Sequence, residues 1–182
     1  MKEKMKTQLS GEELYRRYTE GDESGFDGLI GLYRNDLTAY ARSIIKDEAL
    51  AEDCAVEAFA ELAIKKRYNF SIPIKSYLMM ICRCRALDQL KKYRRTVRLS
   101  DVGEEFLPYT QAEFSDEYAE KDELKRTIRA LPEKQRSAVW LVYIDGMSYK
   151  EAATAMKITV KKLDKLLAAA KKNLKDKMRY DG

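Results

Sequence analysis

One stretch near the end of the chain, residues 146–167, constrains the fold most, because it combines a glycine stop, two helix caps and two amphipathic segments. Ser148 precedes Glu151 by three residues, which is the spacing of a capping box at a helix start. Thr159 offers the cap oxygen of a second helix, whose apolar residues are Val160, Leu163, Leu167, Ala170 and Leu174. The pattern predicts a helix-turn-helix, although an ordinary solvated helical hairpin has the same spacing and remains an alternative.

The outer face of the second predicted helix is basic. Lys161, Lys162 and Lys165 lie on it, and Lys171 and Lys172 continue the same charge towards the chain end. Cations clustered on one helix face favour binding to phosphates. Nucleic acid is therefore the expected partner.

Composition excludes several classes of function. Histidine is absent from the 182 residues, which removes the commonest general base and the commonest metal ligand. The three cysteines, Cys54, Cys82 and Cys84, have no metal-site spacing, so we expect no catalytic site, metal or cofactor. The sequence shows neither a signal-peptide pattern nor an apolar run of membrane length, so we expect a cytoplasmic protein without membrane insertion.

Residues 11–98 predict a first helical domain. One of its helices has an apolar stripe through residues 26–44, and the next, which Asp47 can cap, has an inner face within 51–62. The outer face of that second helix is acidic, because Asp53, Glu57 and Glu61 step by four residues beside Glu52. This face is either an ordinary solvated surface or a docking surface for a basic partner.

A basic and aromatic loop follows, closes at Pro73 and leads into a helix from Ser76 to Arg95. Tyr68 and Phe70 in this loop suit stacking on unpaired bases, but each ring could equally fill the core. The helix is strongly cationic and carries Arg83, Arg85, Lys91, Lys92, Arg94 and Arg95. Its charge density exceeds what solubility requires.

Residues 99–121 are rich in acidic side chains and predict a flexible linker, which is either a plain spacer or a segment that occupies a nucleic-acid path when none is bound. Residues 122–180 predict a second domain, in which two helices precede the helix-turn-helix. Its expected core includes Val139, Trp140, Leu141, Val142 and Ile144. We therefore predict an all-α chain of two small helical domains joined by an acidic flexible linker.

Taken together, these motifs resemble those of a bacterial RNA polymerase sigma factor of the extracytoplasmic-function class. The resemblance rests on Ala51-Glu52-Asp53 with Glu57 and Phe59, on the stretch from Tyr77 to Asp88, and on Leu131-Pro132 with the helix-turn-helix that follows. In that family the first domain binds core RNA polymerase and melts the minus-ten promoter element, while the second reads the minus-thirty-five element. The resemblance implies a transcription initiation factor without catalytic chemistry, and it leaves open an anti-sigma factor as a further partner.

Carried over by position, the resemblance implies three sets of contact residues. Glu52, Asp53 and Glu57 would bind the basic clamp coiled coil of the polymerase's largest subunit. Minus-ten DNA would be contacted by Tyr68, Asn69, Phe70, Ser71, Arg83, Asp88, Lys91, Lys92, Arg94 and Arg95. Minus-thirty-five DNA would be contacted by Tyr149, Lys150, Lys161, Lys162 and Lys165. In the loop at 68–71 a flipped base would be held by stacking and by hydrogen bonds to its edge.

Some positions depart from the family pattern. Val56 stands where a clamp-binding glutamine is usual, Cys84 where an asparagine is usual, and Lys157 where a turn glycine is usual. Asp164, Leu166 and Ala169 occupy positions where a lysine and two arginines are common, so bidentate base contacts are not available there. Either the recognised promoter is unusual, or this domain binds DNA weakly and depends on polymerase.

Two other functions fit parts of the sequence. A free-standing two-domain DNA-binding regulator would use the helix-turn-helix without polymerase, but it would have no need of the acidic Glu52, Asp53 and Glu57. A degenerate sigma-like adaptor that binds only proteins would suit the missing arginines. An enzyme is the most remote alternative, since the sequence shows no phosphate loop and no paired nucleophile and base.

Overall fold

The computed structural model of the protein describes residues 9–65, 68–99 and 126–180. All regular elements within these ranges are helices, which confirms the all-α prediction. The predicted acidic linker, 99–121, lies outside the described residues apart from Leu99. Its flexibility and the boundaries of the two domains therefore stay predictions.

The first domain contains four helices: α1 Gly11–Thr19, α2 Ser24–Ile45, α3 Glu48–Lys65 and α4 Ile74–Leu99. Local caps start two of them. Ser10 forms a capping box with Glu13 at the start of α1, and the Asp47 carboxylate accepts a 2.9 Å hydrogen bond from the Leu50 amide at the start of α3. The predicted cap at Asp47 is thus confirmed.

Helix α4 begins at Ile74, two residues before the predicted start. The reason is a cap supplied from far away in the sequence, since Glu12 on α1 accepts a 2.9 Å hydrogen bond from the Ile74 amide. A carboxylate at a helix start satisfies a free amide and favours the positive end of the helix. No local pattern in 73–76 reveals this cap.

The core of the first domain lies where α2, α3 and α4 meet, with α1 packed across α2. Much of the predicted apolar surface is confirmed, because Leu37, Tyr40, Ala41, Ile44 and residues of 51–62 are buried. Leu29 and two cysteines join them, and burial raises the pKa of the Cys54 thiol to about 11. Phe26, Ile30 and Tyr33 are only partly buried and pack on the rim of this core.

The second domain contains a helical segment at 126–129, α5 Glu133–Val139, α6 Tyr149–Met156 and α7 Val160–Tyr180. The predicted helix-turn-helix is confirmed as α6 and α7. Ser148 and Glu151 form the predicted capping box, and the Thr159 hydroxyl accepts a 3.2 Å hydrogen bond from the Lys162 amide at the start of α7. Gly146 has φ 74°, a left-handed conformation that glycine adopts without strain.

One prediction for the core of the second domain, that Ile144 is buried, is wrong. A π-helical turn, Trp140–Ile144, extends α5 and closes with a 2.9 Å hydrogen bond from the Asp145 amide to the Trp140 carbonyl. This wider turn advances the side chains by less per residue than an α-helix does. Leu141 stays buried, whereas Ile144 is exposed and Tyr143 lies outside with it.

Within the described ranges, the helices are all too short or too polar to cross a membrane.

Candidate nucleic-acid interface

The acidic face of α3 is open to solvent. Glu52, Asp53 and Glu57 are all exposed, because the opposite side of the helix is occupied by alanines, Cys54 and Phe59 in the core. Glu52 and Asp53 form no ion pair within the described residues. Two carboxylates of this face are therefore free to meet a basic partner.

The rest of the acidic face is partly neutralised from α4. Arg85 contacts Glu57 at 3.4 Å and also pairs with Glu61. These contacts, together with Lys65, hold the pKa of Glu61 below its usual range, the hydrogen bond from Lys65 being the largest cause. The sequence identified the stripe of like charges but did not place Arg85 against it.

Two apolar side chains lie on the same exposed side of α3. Val56 is 56% exposed and Ile64 is 80% exposed. Together with Glu52 and Ala60 they form one line at four-residue steps, which is one face of a helix. Ile64 is a candidate contact residue that sequence reasoning missed, although the spacing from Val56 could have found it.

In the loop between α3 and α4, the structure separates residues that the sequence grouped together. Tyr68 is buried, and its hydroxyl donates a 2.8 Å hydrogen bond to the Ile72 carbonyl. Its ring lies edge-on to Tyr15, at 5.2 Å between centroids. A ring buried in this way cannot stack on a base, so the structure argues against the predicted DNA contact of Tyr68.

Phe70 and Asn69 are exposed instead. Phe70 is 44% exposed and has φ 61°, a strained conformation for a side chain of its size. The Arg16 guanidinium lies 5.5 Å from the centre of its ring. The Asn69 carbonyl oxygen accepts hydrogen bonds from the Ser71 amide and hydroxyl, while its amide nitrogen makes none within the described residues.

The basic part of α4 is also exposed. Its predicted DNA contacts Asp88, Lys91, Lys92, Arg94 and Arg95 all face solvent. Lys91 contacts Asp88 at 3.6 Å, but both side chains remain more than half exposed, so this pair contributes little to stability.

Arg83 differs from the other basic residues of α4. Its side chain is only 11% exposed and forms a 2.8 Å ion pair with Glu133 of the second domain. The sequence predicted that Arg83 contacts minus-ten DNA, but in this structure a carboxylate of the same chain occupies it. The pair leaves little of the Arg83 side chain open to solvent in this arrangement.

In the helix-turn-helix, the predicted DNA contacts Tyr149, Lys150, Lys161, Lys162 and Lys165 are exposed. A hydrogen bond with the exposed Tyr143 raises the pKa of Tyr149. Asp164 is also exposed, so it places a negative charge among the lysines of α7. Lys157 takes the position of the usual turn glycine with φ 55° and ψ 44°, which a lysine can adopt only at a cost.

The two domains contact each other, with α4 packed against α6. Besides the pair of Arg83 and Glu133, Lys75 at the start of α4 lies 2.9 Å from the Asp145 carboxylate. Arg136 of α5 donates a 2.7 Å hydrogen bond to a backbone carbonyl near the end of α2. Sequence reasoning missed all three contacts, because nothing in local spacing indicates which charges of one domain meet those of the other.

The fold and these surfaces define a class of protein, a two-domain helical factor with a helix-turn-helix that has exposed lysines and with a separate acidic face on α3. Comparison with known families gives the same result. Residues 29–96 match the model of sigma-70 region 2, and residues 121–174 match the model of sigma-70 region 4. The chain belongs to the sigma-70 family, as a sigma factor of the extracytoplasmic-function class that directs RNA polymerase to promoters.

Curated relatives agree with this family. The extracytoplasmic-function sigma factor SigM of Bacillus subtilis is 28% identical over 151 residues, which cover 82% of this chain and 92% of that protein. The RNA polymerase sigma-H factor of Pseudomonas aeruginosa is 28% identical over 169 residues, with 86% and 87% covered.

Solved structures show the same fold. The sigma factor RpoE of Bartonella quintana, solved with the anti-sigma factor NepR, has a TM-score of 0.72 at 22% identity and covers 86% of this chain and 98% of its own. CnrH, solved with the cytosolic domain of CnrY, has a TM-score of 0.68 at 22% identity and covers 93% and 97%.

Proposed function

We propose that this sigma factor divides its work among three surfaces: the acidic and apolar face of α3 for core polymerase, the loop at 69–71 with the basic part of α4 for minus-ten DNA, and α6 with α7 for minus-thirty-five DNA. The observation that carries the proposal is that these residues, apart from Tyr68 and Arg83, are exposed on three separate surfaces. The domains are proposed at 11–98 and 122–180, with the linker at 99–121 between them.

The face of α3 suits the clamp coiled coil of the polymerase's largest subunit, which is basic. Glu52 and Asp53 supply unpaired negative charge, and Val56 and Ile64 supply apolar area beside it. Charges at the rim of such an interface steer association, while apolar side chains near its centre contribute affinity. Val56, which replaces the usual glutamine, extends the apolar part of this face.

The loop suits capture of one base from the melted strand. Phe70 offers an exposed ring for stacking, and the free Asn69 amide offers a donor for a base edge. The cations of α4 follow the loop in the chain, and they can bind DNA phosphates and so fix the register of the protein on the DNA. The second domain would bind duplex DNA, and there too the cations, which are the lysines of α7, would bind the phosphates.

The polymerase surface is tested by reversing the charge of Asp53. Asp53→Lys is cleaner than Glu57→Lys, because a lysine at 57 would also repel Arg85 within the first domain. We expect Asp53→Lys to weaken binding to core RNA polymerase roughly tenfold, mainly through a slower association rate. Surface plasmon resonance with immobilised core polymerase separates the association and dissociation rates.

Glu20→Lys is the matched control. It makes the same change of charge at an exposed position at the end of α1, so binding to polymerase should stay at the parent level. Thermal melting of both variants by circular dichroism checks that the fold is kept. Parent-like binding of Asp53→Lys would remove α3 from the polymerase interface.

Further partners and the setting follow from the family. We expect the factor to act in the cytoplasm with RNA polymerase and to have no enzymatic activity of its own. An anti-sigma factor is a further proposed partner, since RpoE was solved in complex with one. The alternatives of a lone regulator and a protein-binding adaptor are not favoured.

A further inference from the structure

Arg83, a predicted DNA-binding residue, forms an ion pair with the carboxylate of Glu133. The Arg83 guanidinium donates to one oxygen of Glu133 at 2.8 Å, and the Ser137 hydroxyl donates to the same oxygen at 2.9 Å. Glu133 lies in the first turn of α5, where the helix dipole favours an anion. The carboxylate is thus oriented by Ser137 of its own helix as well as by Arg83.

A carboxylate and a phosphate present the same chemistry to a guanidinium. Both offer anionic oxygens that accept charge-assisted hydrogen bonds, and arginine binds either group in the same planar geometry. The Arg83 side chain is only 11% exposed while it pairs with Glu133, so the pair and the domain around it hinder the approach of a DNA phosphate to this guanidinium. Whatever stabilises the contact between the domains opposes DNA binding at this position.

The contact between the domains is incompletely satisfied. Among the described residues, four buried side-chain polar atoms have no hydrogen-bond partner. Two of them, Arg83 Nε and Asp145 Oδ2, belong to the two ion pairs that cross between the domains. A buried polar group without a partner is unfavourable, because it has lost its hydrogen bonds to water. These two atoms reduce the stability that the ion pairs give to the contact.

The proposed function itself requires that the contact open. Promoter elements centred near minus ten and minus thirty-five lie about 25 base pairs apart, or roughly 85 Å along the duplex axis. In the structure, α4 of the minus-ten domain packs directly against α6 of the minus-thirty-five domain. One chain cannot reach both elements in this arrangement.

We propose that Glu133 is an internal competitor for DNA at Arg83, and that the pairs of Arg83 with Glu133 and of Lys75 with Asp145 hold the free factor in a closed form. This inference rests on the proposed function of α4 in DNA binding. Opening frees Arg83 for a phosphate and releases α6 with Tyr149 and Lys150 from α4. DNA that occupies Arg83 therefore favours the open form, because coupling between two sites is reciprocal.

The test uses Glu133→Gln in the full chain. Glutamine keeps the length of the side chain and can still accept from Ser137, but it removes the negative charge that binds Arg83. Hydrogen exchange of the free protein, measured by mass spectrometry, should become faster in 74–86 of α4 and in α6. Asp145→Asn breaks the second pair without changing any predicted DNA contact, and it should produce the same increase in exchange.

DNA binding is measured at low salt by fluorescence anisotropy, with a labelled duplex that carries a single-stranded overhang. If about a tenth of the parent is open, Glu133→Gln should lower the apparent Kd up to about tenfold. The gain should disappear when Glu133→Gln is combined with Arg83→Ala. This dependence on Arg83 distinguishes competition from a general effect of removing a negative charge.

Glu48→Gln is the matched control. It also removes a carboxylate that pairs with an arginine, Arg42, at 2.7 Å, but this pair lies inside the first domain. It should leave both hydrogen exchange at 74–86 and the apparent Kd unchanged.

The proposal is overturned if Glu133→Gln leaves exchange and DNA binding as in the parent. It is also overturned if the gain persists without Arg83 or if Glu48→Gln gives the same gain. Failure of the proposed function looks different, since parent and variants would then bind neither core polymerase nor promoter DNA with polymerase. If the parent opens promoters with polymerase while Glu133→Gln shows the exchange and DNA binding of the parent, only the proposal of an internal competitor is wrong.

Discussion

The guanidinium of Arg83 on α4 and the carboxylate of Glu133 on α5 meet at 2.8 Å across the boundary between the two domains. Both side chains are mostly buried there, so solvent screens the pair less than it screens the exposed pairs of α4. Lys75 and Asp145 form a second pair of the same kind. The arrangement of the domains thus depends on charge as well as on apolar packing, and it responds to changes at single residues.

Gly25 allows α1 and α2 to pack closely. A Cβ atom added there would clash with the Leu14 carbonyl oxygen and would lie 2.9 Å from the Tyr18 amide nitrogen. Both neighbours are backbone atoms of α1 and cannot rotate away. Gly25→Ala should therefore lower the free energy of unfolding by about 1–3 kcal/mol, measured by urea denaturation.

Gly31→Ala is the control on the same helix. Apart from its chain neighbours and the backbone of its own helix, nothing lies within 4 Å of a Cβ added at Gly31, and alanine is a better helix former than glycine. This variant should gain up to about 1 kcal/mol. Equal effects of the two substitutions would show that α1 does not pack on α2 as described.

Lys157 ends α6 in the left-handed conformation that a turn glycine would adopt without strain. Relief of this strain stabilises the folded state, while the greater freedom of glycine in the unfolded chain opposes it. We expect Lys157→Gly to raise the free energy of unfolding by about 0.5–1 kcal/mol. Lys171→Gly, inside α7 and exposed, should instead lose about 1 kcal/mol, and a similar loss at Lys157 would contradict the prediction.

Lys46 gives the stability of the protein a dependence on pH. Burial, followed by the nearby positive charges of Arg136 and Arg129, lowers the pKa of Lys46 from 10.5 to about 8. Between these values the unfolded chain holds a proton that the folded chain has lost, so the free energy of unfolding rises with pH. Below pH 8 both states are protonated, and the folded state bears the full cost of the charge.

Lys46→Gln should therefore stabilise the protein near pH 7, by an amount on the order of 1 kcal/mol because solvent screens a partly exposed ammonium. The advantage over the parent should shrink as the pH approaches 10. Urea denaturation at several pH values measures the free energy of unfolding of both proteins. Both contain Cys54, so its titration cancels when the two free energies are subtracted. A difference that does not change with pH would show that Lys46 is not perturbed.

Much of the fold follows from patterns that are local in the sequence. Ser148 with Glu151, Asp47 and Thr159 are caps whose partners lie three residues away, and each was predicted correctly. The cap of Ile74 by Glu12 joins residues 62 positions apart, so only the folded arrangement of α1 and α4 reveals it. The exposed Ile144 has a different cause, since helical spacing assumes an α-helix and the chain forms a π-helical turn there.

The candidate site could likewise be predicted only where the signal is local in the sequence. Exposure of Asp53 and Glu57 follows from their position opposite an apolar helix face. The different environments of Tyr68 and Phe70 do not follow from the sequence, because both are aromatic and the left-handed backbone of Phe70 is seen only in the folded loop. The burial of Arg83 depends on a residue 50 positions away, and periodicity within α4 carries no signal of it.

We expect Phe70 and Asn69 to act in promoter opening, because both side chains are exposed in the loop. The other aromatic ring of the loop, Tyr68, lies in the core. Stacking of a base on an exposed ring is worth roughly 1–3 kcal/mol. Phe70→Ala should thus slow strand opening at least several-fold while the closed complex binds at the parent level. Replacing Asn69 by aspartate removes the amide donor and should change which base is preferred in the melted element.

Permanganate reactivity of unpaired thymines follows opening, and gel shift with closed duplex promoter and polymerase follows the earlier step. Tyr68→Phe is the control, because it keeps the buried ring and loses only the hydrogen bond to the Ile72 carbonyl. It should lower stability by about 1 kcal/mol and leave the ratio of opening to closed binding unchanged. If Phe70→Ala reduces opening and closed binding equally, the ring supports the loop, and the flipped base must be held by another part of the first domain.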